Sequence, residues 1–179
     1  MIPFDILAEL FTIATEPWGN SEWYHAGPPV RPSVARIQQQ LGLKIPDDYL
    51  HLAKACPSYG GWLCGIGRDY KRQVHILNIN AGFHTDTPDF AALPDYLVLL
   101  NHGHDHDCDC WDKRTVSASG EHPIVYVDAD SPVRTPIGRQ FNTFRDYLEH
   151  FVLTSAARNK NLERGRRANE LVAKLHQQT

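Results

Sequence analysis

Between Asn101 and Asp112 the chain reads NHGHDHDCDCWD, its densest run of metal-capable and acidic side chains. His102, His104, His106, Cys108 and Cys110 alternate there with Gly103, Asp105, Asp107 and Asp109. Successive side chains of an extended chain point to opposite faces. The alternation therefore predicts one face of imidazoles and thiols and another of carboxylates. The first set suits zinc, for which both groups are good ligands. The second places a negative field on a turn between two strands, which speeds encounter with a basic surface.

Spacing limits the metal reading. A strand rises about 3.3 Å per residue, so five alternate ligands cannot converge on one ion, whereas two with a third from elsewhere can. The paired Cys-x2–4-Cys spacing of structural zinc sites is absent. The His-x-His-x-Asp-His order of metallo-β-lactamases fails, because His106 and Asp107 follow Asp105 in the reverse order. Calcium fails as well. Asp105, Asp107 and Asp109 match the start of an EF-hand loop, but Cys110 stands at its glycine and Val116 at its bidentate glutamate.

Catalysis finds less support still. There is no Gly-x-Ser-x-Gly, no P-loop and no Gly-x-Gly-x-x-Gly. His75, His84 and His122 stand singly, and Cys56 and Cys64 sit in apolar surroundings as small hydrophobes. The expectation is a protein that is not an enzyme.

The elements that must hold this stretch belong to a chain of 179 residues, 42% hydrophobic and 22% charged, which suits one ordinary domain. Residues 1–154 carry 12 Lys/Arg against 19 Asp/Glu, a net of −7, and residues 155–179 are basic at +4. An acidic body argues against nucleic acid, whose phosphates need clustered Lys/Arg, and suits a basic protein partner. The first residues lack the basic start and small-residue cleavage site of a signal peptide, and no apolar run is long enough for a membrane span. Four cysteines without a disulfide framework point to a cytoplasmic location.

Along the chain, Phe4, Leu7, Leu10 and Phe11 predict a helix over 3–14. Residues 15–32 read as loop, 33–41 as a helix ended by Gly42, and Pro46 opens another that Pro57 stops. Segments 62–66 and 74–79 read as short strands. Tyr96 to Leu100 form an apolar strand leading into the acidic turn, and 123–128 form another. Residues 130–139 read as loop. Thr143 is an N-cap for a helix carrying Phe144, Tyr147, Leu148, Phe151 and Val152. Ala168, Leu171, Val172 and Leu175 then mark a basic helix broken by Gly165. Helices, strands, then helices give an α+β fold with an antiparallel sheet.

Four segments also carry a family resemblance. IPDDYLHLAKACPSYGGW resembles the (L/I)-P-x-x-Y … L … N-G-G signature of the SUKH superfamily, named for its Smi- and Knr-type cell-wall-assembly regulators. Ser58-Tyr59-Gly60-Gly61 stands where that family often has Asn-Gly-Gly. LPDYLVLLNHGHDHDCDCWDKR is similar to its central strand, Gly/Asp-rich turn and aromatic-Cys-x-Asp-like strand. PIVYVDAD resembles its P-V-V-x-x-D strand, and FNTFRDYLEHFV its closing S-F-x-x-(F/Y)-L helix.

The resemblance implies a SUKH-like domain over 1–154, its core over 37–152, with a basic helical extension over 155–179. Bacterial members are mostly immunity proteins that bind and neutralise secreted toxins, many of them basic nucleases. The implied protein is cytoplasmic, a monomer or weak homodimer. It engages a cognate toxin domain by stoichiometric binding, without cofactor, nucleic acid or membrane. The expected contact residues are Asp105, Asp107, Asp109, Trp111 and Asp112 on the hairpin, with Asp69 and Tyr70 as a second patch. The competing expectations are a zinc-binding protein using His102, His104, His106, Cys108 and Cys110, and a regulatory scaffold like the fungal members.

Overall fold

A computed structural model describes residues 2–15, 31–56, 63, 66, 75–85, 92–102, 108–128, 136–158 and 162–177. Four helices come first: α1 (Phe4–Thr15), α2 (Arg31–Leu41), α3 (Asp47–Ala55) and α4 (His75–Phe83). Strands β1 (Leu97–His102), β2 (Cys108–Asp112), β3 (Ile124–Val127) and β4 (Pro136–Phe141) follow, and α5 (Phe144–Arg158) and α6 (Leu162–Gln177) close the order. The fold is α+β, as the order of apolar patterns predicts.

The strands form one antiparallel sheet in the order β1-β2-β3-β4. Val98 faces Trp111, Trp111 faces Ile124, and Ile124 faces Phe141, so one row of large side chains crosses the whole sheet. Strand β2 is interior and buried on both faces. Cys108 and Cys110 on one side and Trp111 on the other are all buried.

Helix α5 packs on α1, α3, α6 and β4. Tyr49 of α3 lies edge-on to Trp111 at 5.6 Å and to Phe144 at 5.2 Å, joining sheet and helices through one aromatic cluster. Such pairs add directional contact to the apolar area they bury. Leu7, Leu10 and Phe11 of α1 share their core with Ala168 and Leu171 of α6. The core therefore reaches beyond residues 37–152. The basic C-terminal helix is a packed part of the domain, not an appendage, and it runs through Gly165 without a break.

Local chemistry sets the helix ends. Pro46 precedes the first residue of α3, with Asp47 and Asp48 in its positive first turn. At α5, Thr143 Oγ1 accepts the Asp146 amide at 3.1 Å, and the Glu121 carboxylate accepts the Phe144 amide at 2.8 Å. Two amides left over at a helix start are thereby satisfied. Helix α2 ends in Gly42 at φ 68, whose amide bonds to Gln38 O at 2.9 Å. Lys113 Nζ donates to Leu41 O at 3.1 Å, a cation on the negative end of that helix.

Two expected elements differ. Residues 75–79, expected as strand, are helical in α4. Tertiary bonding outweighs the β-branched run: Asn80 donates to Leu99 O at 3.2 Å and accepts the Leu99 amide at 2.7 Å. Part of the expected loop 130–139 pairs as β4, where Pro136 and Gly138 are tolerated because the strand lies at the sheet edge. The register there passes from Val125–Gln140 to Val127–Pro136, a bulge around Gly138 at φ 82. Of the expected strand 62–66, Leu63 makes an isolated antiparallel bridge to Asn101. Among the described residues, no helix is long and apolar enough to cross a membrane.

Candidate functional site

The candidate residues gather on the β1–β2 hairpin. Its strands are in register beside the connection 103–107: His102 faces Cys108 and Asn101 faces Asp109. The chain reverses between them, as the expected turn between two strands requires. His102 lies on one strand, Cys108 and Cys110 on the next. Asp69, Tyr70, His104, Asp105, His106 and Asp107 lie outside the described residues, and only the backbone of His102 is described.

Asp109 is half-buried and turned toward α5. Its Oδ2 accepts the Tyr147 hydroxyl at 2.9 Å and Asn101 Nδ2 at 3.2 Å. Asn101 Nδ2 also reaches the Tyr147 oxygen at 3.2 Å, closing a triangle. Asn101 and Tyr147 are both buried, so the triangle ties the base of the hairpin to the helix from inside. Most buried polar groups are hydrogen-bonded in this way. Among the described residues, Asn101 Oδ1 and Trp111 Nε1 are buried without a hydrogen-bond partner.

Trp111, expected as a surface anchor, is core. It has no exposed surface and lies against Tyr49. Asp112 is buried too, with its side chain 8% exposed. Its carboxylate forks onto Arg114, Oδ1 accepting Nε at 3.0 Å and Oδ2 accepting Nη2 at 2.7 Å, and Oδ1 also takes the Arg114 amide at 3.0 Å. The Arg114 guanidinium in turn sits 4.0 Å over the Tyr96 ring. These bonds from Arg114 hold the Asp112 carboxyl below the usual range, against an upward push from burial, and they raise Arg114 in return. The charge of Asp112 is thus matched internally. One physical reason covers both corrections: β2 is covered on both faces, so its odd and even positions all lead inward.

Cys108 and Cys110 share one face of β2 and are buried in the core. Among the described residues, no three His, Cys, Asp or Glu side chains form a group that could hold a metal ion. Cys56 lies between α3 and α1, its Sγ 3.3 Å from Thr12 Oγ1 and donating to Ala8 O at 3.5 Å. Burial pushes its thiol up, which suits packing rather than nucleophilic attack.

Sequence reasoning missed Asn101, Tyr147, Arg114 and Asn80. One signal was available for Tyr147, since a tyrosine in the apolar stripe of a helix needs a partner for its buried hydroxyl. No model of a known protein family and no curated protein matches the chain.

Proposed function

We propose that this chain is a SUKH-type immunity protein that neutralises a cognate secreted toxin in the cytoplasm by one-to-one binding, without catalysis. The observation that carries the reading is the order of the four resembling segments, which fall on α3, the β1–β2 hairpin, β3 and α5. The net charge of −7 over residues 1–154 supports a basic partner, such as a nuclease domain. The contact residues we assign are Asp105 and Asp107 on the hairpin connection, with Asp69 and Tyr70 as a second patch.

The test is a calorimetric titration with the C-terminal domain of a large secreted protein, should one be encoded beside this chain. One-to-one binding that weakens with added salt is the expected result. Asp105→Lys combined with Asp107→Lys should weaken it further and flatten the salt dependence, since both act through screened charge. A flat titration against a folded domain would sink the immunity reading.

A further inference from the structure

We propose that Asn80 is the lock on the β1 edge of the sheet, and that releasing it turns β1 into a self-pairing interface for a second copy of this chain. An edge strand offers unpaired amides and carbonyls to any other strand. At Leu99 that offer is taken up by a side chain. The Asn80 amide donates to Leu99 O at 3.2 Å and accepts the Leu99 N–H at 2.7 Å, as a neighbouring strand would. Asn80 is itself buried, and its Nδ2 also donates to Ile76 O at 2.8 Å, which fixes its direction. On the same edge, Leu97 donates to Pro94 O at 2.9 Å and Asn101 bridges Leu63.

What lies beneath the lock fits a second β1. Residues LVLLNH carry no formal charge at neutral pH and contain neither proline nor glycine. Uncharged, apolar segments of this length are the ones that pair edge to edge. Antiparallel pairing about Leu99 would be two-fold symmetric and bring no like charges together. The element holding the lock is weak in its own right. Helix α4 has nine residues, HILNINAGF, with two Asn, one Gly and two β-branched Ile. Such a helix is too short and too poor in helix formers to stand alone. Its place is set by packing on β1 and α2 and by the Leu93 amide, which donates to Phe83 O at 2.7 Å, while the Asn80 bonds tie it to the β1 backbone.

Sedimentation and amide exchange on the full chain test this. Wild type should be monomeric at the β1 edge, with a slowly exchanging Leu99 amide. Asn80→Ala should form a dimer as concentration rises. On dilution its Leu99 amide should exchange about ten- to a hundredfold faster than in wild type, as loss of a local closing contact implies. Asn80→Leu, a better helix former, keeps α4 wound while removing both bonds, and should behave alike. Folded Ala and Leu variants that remain monomeric at every concentration would overturn the proposal. Wild type supplies a check that needs no variant: the Leu99 amide should exchange no more slowly than the amides of α4. If it outlasts them, α4 is not the lock.

Discussion

The Asp109 carboxylate and the Tyr147 hydroxyl, 38 positions apart in the chain, meet at 2.9 Å and join the acidic hairpin to helix α5. The bond runs inward, from a strand residue that sequence alternation assigned to the surface. Removing the hydroxyl while keeping the ring isolates it. Tyr147→Phe should destabilise the fold by about 1.5–3 kcal/mol, the range for a hydrogen bond to a charged group. Urea unfolding measures this directly, and an unchanged midpoint would show that the triangle with Asn101 does not hold the hairpin.

The Asp112–Arg114 pair makes stability depend on acid. The folded carboxyl titrates below its usual range, so the unfolded chain takes up a proton more readily than the folded one. Its contribution is complete above the ordinary carboxylate range. It declines as pH falls below that range and is gone once the depressed folded value is passed. Thermal midpoints of wild type and Asp112→Asn should therefore differ most near neutrality and converge in acid. A difference that stays constant with pH would assign the effect to packing.

Trp111 should act on folding and not on recognition. Trp111→Ala removes the largest fully buried side chain from between the sheet and Tyr49. The expected loss is about 3–5 kcal/mol, as for other large aromatics in cores. Trp111→Phe, which keeps an aromatic ring beside Tyr49, should cost less and leave partner affinity unchanged in calorimetry. A folded Phe variant with weakened binding would return Trp111 to the contact surface.

Helices α1, α2, α3 and α5 were legible because their apolar residues recur at helical spacing and some of their ends carry caps, Gly42 on α2 and Thr143 on α5. Helix α4 was not. Ile76 and Ile79 give it the look of a strand, and the deciding contact, Asn80 with Leu99, lies 19 positions away. Strand β4 was hidden by Pro136 and Gly138, which mark turns in most settings and a bulged edge here. Within the candidate site, alternation located the hairpin but misjudged its depth. That rule separates inside from outside only where one face of a strand meets water. On β2 neither face does, so Trp111 and Asp112 read as surface and lie inside.

Helix α1, the first described element, packs on α5 and α6, the last two. The four strands between pair with one another in sequence order and can zip up locally as the chain is made. Helix α1 cannot. On the ribosome the part of α1 that meets α5 and α6 stays uncovered until residues 144–177 have been synthesised, an interval in which a chaperone has reason to bind. The middle of the nascent chain can thus assemble before α1 is sealed against α5 and α6.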